Sequence, residues 1–126
     1  MIQTEDAGRM CDRKELYSKV LNVISEIRGV YRNISIASIV IFLRVCENDG
    51  ISVKDLIYLS GYTECLVSRS IDSLSRLPGS ASAGPAFRTG LIRVAKHPSD
   101  GRRRLVYLTD DGRLLRDRIR QILIGG

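Results

Sequence analysis

A mainly α fold with a small β-hairpin is predicted by three features of this 126-residue chain. Apolar residues recur at three- and four-residue steps in several segments, the spacing that lines one face of a helix. Two runs in the last third, 91–96 and 104–108, instead mix β-branched and basic residues as strands do. Capping residues (Asp12, Ser35, Ser52, Thr63, Thr109) and turn signals (Asn48-Asp49-Gly50, Ser60-Gly61-Tyr62, residues 97–101) fall between these segments.

Residues 1–11 read as a polar N-terminal tail and 12–126 as a single domain, since so short a chain supports one core. Asp12 caps a first helix whose stripe is Leu16, Val20, Val23, Ile24 and Ile27, ending near Gly29. From Ser35, the residues Ile36, Ile39, Val40, Leu43 and Cys46 keep the same period, while Ile41, Phe42 and Val45 fill the other faces. A helix apolar nearly all round has to be buried centrally or lie in an interface. Ser52 opens a short helix over 53–59 with Val53, Leu56 and Ile57 or Leu59 inward, broken at Ser60-Gly61-Tyr62. Thr63 caps the next, where Val67, Ser70, Ile71 and Leu74 face inward and Glu64, Cys65, Ser68, Arg69, Asp72 and Ser73 lie outward or at the edges. Two short helices joined by a tight glycine-bearing turn make a helix-turn-helix. Residues 78–86 have loop composition, so protease is expected to nick first at 79–86 or at the N-terminal tail. The two strands then form a hairpin tipped by Arg102, Arg103 and Arg104. Thr109 caps a last helix, with Asp110 and Asp111 at its positive end and Leu114, Leu115, Ile119, Ile122 and Leu123 as its stripe.

Apolar residues make up 44% of the chain and charged residues 27%, which excludes a disordered or low-complexity protein. The 20 basic and 14 acidic residues give a net +6. The excess is confined to one region: residues 1–87 are balanced, whereas 88–120 are dominated by arginine. Segregated positive charge points to a polyanionic partner, nucleic acid before an anionic membrane. Three cysteines (Cys11, Cys46, Cys65) at wide spacing and a single histidine, His97, support neither a disulfide framework nor a metal site, and fit a reducing cytoplasm. The acidic N-terminus is no secretory signal, and the longest apolar run, 34–45, is too short to span a membrane. One histidine in a turn with scattered acids offers no nucleophile, base and orienting group, so the chain is expected to be neither an enzyme nor a cofactor protein.

The order helix, helix, helix-turn-helix, basic hairpin, helix is that of a winged helix-turn-helix. Ile51-Ser52-Val53-Lys54-Asp55-Leu56, Gly61-Tyr62-Thr63, Val67-Ser68-Arg69-Ser70-Ile71-Asp72-Ser73-Leu74, Gly90-Leu91-Ile92-Arg93, Asp100-Gly101-Arg102 and Leu108-Thr109-Asp110-Asp111-Gly112 resemble, in order and spacing, the MarR family of bacterial transcriptional regulators. The resemblance runs from about Ile34 to Gly112. It implies that Asp100 braces Arg102, which enters a minor groove, and that the chain acts as a dimer. The chain differs from the family pattern in extra residues around 78–87, in His97 where an Asp is usual, and in a single short C-terminal helix.

A helix fits the major groove, so Thr63, Glu64, Cys65, Leu66, Ser68 and Arg69 are the candidate base-reading set. Asp100, Arg102, Arg103 and Arg104 are the candidate wing set, reaching phosphates or the negative potential of a narrow minor groove. The expected function is a sequence-specific double-stranded DNA-binding regulator, a repressor acting as a homodimer on a palindromic operator. A protein–protein adaptor without specific DNA binding is the alternative. A small-molecule effector is left open, and redox sensing through Cys11 or Cys65 is a minor reading.

Overall fold

Four hydroxyl side chains hold the open first turns of four helices. Ser35 Oγ, Ser52 Oγ, Thr63 Oγ1 and Thr109 Oγ1 accept from the backbone N–H of Ser38, Asp55, Leu66 and Gly112 at 3.1, 3.0, 3.2 and 3.0 Å. Each bond satisfies a donor that the helix itself leaves unpaired. The computed structural model describes residues 2–76 and 90–125, with side chains from Lys14 onward. The capped helices are α2 (Ile36–Glu47), α3 (Val53–Ser60), α4 (Glu64–Ser75) and α5 (Asp110–Ile124), preceded by α1 (Ile2–Val30).

Helix α1 begins well before Asp12, so residues 2–11 carry helical backbone where the sequence reads as a polar tail. Gln3, Glu5, Ala7, Arg9 and Met10 are good helix formers and no proline interrupts them. A residue suited to capping does not stop a helix whose upstream neighbours favour the same conformation.

The hairpin is part of a three-stranded antiparallel sheet in the order β1 (Ile51–Ser52), β3 (Arg104–Leu108), β2 (Ile92–Lys96). Ile51 pairs with Val106 on one side of β3, and Val94 pairs with Val106 on the other. Strand β1 corrects the two-strand expectation: two residues are too few to show an alternating pattern. Its pairing is extended by Gly50, whose N–H donates to Val106 O at 2.8 Å. The Asp49 carboxylate accepts from the Leu108 N–H at 2.9 Å. Gly50 has φ +101°, a conformation that favours glycine.

One core joins all these layers. Ile41, Phe42 and Val45 of α2 meet Leu56 of α3, Val67 and Leu74 of α4, Val106 and Leu108 of β3, Leu115 of α5 and Ile27 of α1. Every one of these is fully buried, and each such side chain contributes about 1.5–3 kcal/mol by leaving water. Helix α2 turns Ile41, Phe42 and Val45 to the core, whereas the stripe expected from its period is only half-buried at Ile39, Val40 and Cys46 and is exposed at Ile36 and Leu43, so the helix is covered on one face and not all round.

Other stripe positions stay in solvent. Leu16, Val20 and Ile24 are 60%, 47% and 44% exposed although they share the stripe of buried Ile27. Leu114 and Leu123, expected inward, are also exposed, and of the alternatives Ile57 and Leu59 it is Ile57 that packs against the core while Leu59 stays in solvent. Adjacent residues lie about 100° apart on a helix, and α5 is turned so that Leu115 faces the core and Leu114 faces solvent. Among the described residues no helix is long and apolar enough to cross a membrane. The loop expected over 78–86 lies outside the described residues.

Candidate nucleic-acid interface

The turn between α3 and α4 is built by three consecutive residues. Gly61 closes α3 in the left-handed conformation (φ +73°), its N–H donating to Ile57 O at 3.2 Å. Tyr62 is half-buried against the core, and Thr63 starts α4. The α4 face bearing Val67, Ser70, Ile71 and Leu74 is buried, as the periodicity predicts. Glu64, Cys65, Leu66, Ser68 and Arg69 are left facing outward in solvent. The far end of α4 is tied to α1 through Tyr31, whose hydroxyl lies 2.6 Å from Ser73 Oγ. A helix held at its cap and along its buried face presents its outer side chains on a fixed frame.

The wing is closed by backbone and side chain together. His97 N–H donates to Arg103 O at 2.8 Å, and Arg103 N–H to Asp100 O at 3.0 Å. Within the turn, His97 Nδ1 accepts from the N–H groups of Ser99 and Asp100 at 3.0 and 3.2 Å. His97, read from sequence as a turn residue, is thus the acceptor that caps the turn, the service an aspartate performs in Asx turns. Asp100 Oδ1 accepts from the Arg102 backbone N–H at 3.1 Å, so it fixes Arg102 through the main chain. The side chains of Arg102, Arg103 and Arg104 extend into solvent. At the base of the wing the Arg93 guanidinium sits 4.6 Å from the Tyr107 ring centroid, a cross-strand contact that stiffens the hairpin.

Helix-turn-helix and wing enclose a groove of about 450 Å³ lined by Glu64 and Ser68 from α4, Lys54 and Ile57 from α3, and Arg102, Arg103 and Arg104. The two sequence-derived sets therefore share one surface. Of those sets the groove brings together Glu64, Ser68, Arg102, Arg103 and Arg104; Cys65, Leu66 and Arg69 are on α4 outside this lining, Asp100 is in the wing turn outside it, and Thr63 serves as the cap. Lys54 escaped the sequence reading: it follows cap Ser52 on a short helix, and nothing local signals that the wing folds back over it. Among the described residues no cluster of His, Cys, Asp or Glu can hold a metal ion.

Cys46 sits elsewhere, in a second groove of about 610 Å³ between α2 and α5, lined also by Val40, Leu43, Arg44, Arg116, Ile119 and Arg120. Burial pushes its thiol up to about 12, partly countered by Arg116. Such a thiol is inert at neutral pH.

No family sequence model matches the chain, and no curated protein sequence does. Solved structures do. The MepR protein of S. aureus, solved as a DNA complex, superposes with a TM-score of 0.61 at 17% identity, covering 91% of this chain and 80% of that one. A MarR transcriptional regulator of Methanosarcina mazei Go1 gives 0.58 at 18% identity, covering 94% and 75%. BpsR of Bordetella bronchiseptica, whose DNA binding is regulated by 6-hydroxynicotinic acid, gives 0.53 at 20%, covering 86% and 74%. At these identities the likeness concerns the fold, and by it, as by its capped helix-turn-helix and braced wing, the protein has the winged-helix fold of the MarR-type regulators.

Proposed function

We propose that the chain is a cytoplasmic, non-catalytic regulator of transcription that binds double-stranded DNA in a sequence-specific manner. The carrying observation is the shared surface of α4 and the wing, with Lys54 and three arginines around one groove. The outer face of α4 reads base edges in the major groove, while Arg102, Arg103 and Arg104 take phosphates or the adjacent minor groove. We read it as a repressor. The exposed apolar residues of α1 (Leu16, Tyr17, Val20, Leu21) and of the end of α5 (Leu123, Ile124) are covered by a second copy, giving a homodimer on a palindromic operator. A small-molecule effector, as BpsR has, would sit in the apolar α2–α5 groove, where Arg44 and Arg116 are paired with Glu47 and Asp117 and Arg120 is the cation that would meet an anionic group.

Selection of bound duplexes from a random pool tests this reading. It should yield a palindromic motif, with affinity falling steeply as salt rises. Light scattering should give about twice 14.1 kDa. No selected motif, with only weak salt-sensitive attraction, would favour the adaptor reading.

A further inference from the structure

Glu64 stands out on the α4–wing surface. Lys54, Arg102, Arg103 and Arg104 suit a polyanion, yet Glu64 is the acid among the described residues lining the same groove. Its carboxylate is exposed, and among the described residues it takes part in no ion pair. The next acid on α4, Asp72, is different: Arg76 neutralises it at 2.8 Å. A carboxylate in a groove that faces phosphates lowers affinity for every duplex alike, both by repulsion and by offsetting the cations around it. It is repaid where a hydrogen-bond donor meets it.

In the major groove that donor is an exocyclic amino group. Guanine and thymine present acceptors there, which repel a carboxylate. Adenine presents its N6 amino group beside the N7 acceptor, whereas cytosine presents the N4 amino group alone. Ser68 lies one helical turn along on the same groove wall, so the two side chains form one strip of α4, the element whose helical shape fits the major groove.

We propose that Glu64 is the specificity-determining residue of the surface, accepting from the N4 amino group of a cytosine in the bound site and penalising all other sequence. The inference rests on the DNA-binding reading above and names the base that this reading leaves open. A Glu in the first turn also complements the helix dipole, a role that needs no DNA.

The test is selection from a random duplex pool by the full-length protein and by Glu64→Gln, followed by competition binding of each to its own site and to random duplex. The wild type should select one cytosine whose replacement costs roughly ten- to a hundredfold in affinity. Glutamine matches the N6 and N7 edge of adenine, so the variant should change that one position to adenine and bind random duplex several-fold more tightly. Thermal unfolding of both proteins reports the dipole role separately. An unchanged motif in the variant overturns the inference and leaves the DNA-binding reading intact. Specific and random binding falling together, with a lowered melting point, overturns it in favour of the dipole role. If the wild type selects no motif, the DNA-binding reading fails and this inference with it.

Discussion

Glycine-to-alanine exchange should have opposite signs at two helical positions, and the reason lies in what a methyl group would meet. Helix propensity alone favours alanine by about 1 kcal/mol. At Gly29 near the end of α1 an added Cβ has nothing within 4 Å, so Gly29→Ala should stabilise the protein by up to about 1 kcal/mol. At Gly112 in the first turn of α5 the Cβ would overlap the Leu91 carbonyl oxygen and stand 3.2 Å from Leu108 Cδ2. That carbonyl cannot retreat easily. It accepts from the Thr109 N–H at 3.1 Å, and the Leu91 N–H is itself bound to Leu74 O at 2.7 Å. Overpacking against fixed backbone costs about 1–3 kcal/mol or more, outweighing the propensity gain. Gly112→Ala, with a net loss of up to about 2 kcal/mol, should therefore lower Tm by up to roughly 8 °C, given a few degrees per kcal/mol for a domain of this size. The assay is thermal unfolding of both variants by circular dichroism in one buffer. A Gly112→Ala protein melting at or above the wild type would refute the reasoning. The same geometry explains Leu108-Thr109-x-x-Gly112: threonine caps α5 and also donates to Gly90 O at 2.6 Å, and glycine lets the helix close on the strand.

Replacing His97 by alanine removes the acceptor of two wing amides, a loss of about 0.5–2 kcal/mol locally, and should speed amide exchange at Ser99 and Asp100; His97→Asp should restore protection. Unchanged exchange in the alanine variant would show that the turn does not need the imidazole. Asp49→Ala leaves the Leu108 N–H without its carboxylate partner and should cost about 1–3 kcal/mol in chemical denaturation, with a neutral result counting against that bond. In a Cys11→Ser background, a thiol reagent at pH 8 should label exposed Cys65 quickly and Cys46 only on unfolding. The unfolded Cys46 thiol ionises near its ordinary 9.0 and the folded one near about 12, so the folded state holds the proton longer. Stability should then fall as pH rises from about 9 to about 12, less steeply in Cys46→Ala, and equal slopes would argue against the burial effect. Arg102→Ala should weaken binding to selected and random duplex together and lower the salt slope by about one unit, whereas Arg69→Ala should act mainly on the selected site if it touches a base.

What could be read in the sequence is what local chemistry decides. The caps at Ser35, Ser52, Thr63 and Thr109 need only a hydroxyl and the three residues that follow. The inward face of α4 needs only a 3.6-residue period, and it selects Val67, Ser70, Ile71 and Leu74 without error. Strand β1 and the place of Lys54 beside the wing depend on pairings made across the chain, and no local pattern encodes them; the acceptor role of His97 is local, two and three residues along, but an imidazole is not among the side chains that ordinarily signal such a turn. Asp49 illustrates the difference: in sequence it belongs to a turn signal, yet its two oxygens reach Leu108 N–H and, at 3.7 Å, Arg113 Nε, joining the end of α2 to β3 and α5.

The stripe of α1 marks the boundary between what a sequence pattern states and what a fold completes. Periodicity says that Leu16, Val20, Val23, Ile24 and Ile27 share a face to be covered, and it treats them alike. Packing within the chain distinguishes them. Ile27 is sealed by the core and Val23 leans on it, while Leu16, Val20 and Ile24 keep nearly half or more of their surface. Where α1 and α5 run together they are linked at the rim by Lys19 donating to Leu123 O at 3.2 Å and by Arg118 facing Glu26 at 3.8 Å. Those polar links hold the pair of helices in register but bury little apolar area. The stripe thus carries more hydrophobic surface than the described residues of one copy cover, and if the proposed second copy covers it the gain is about 25 cal/mol for each Å².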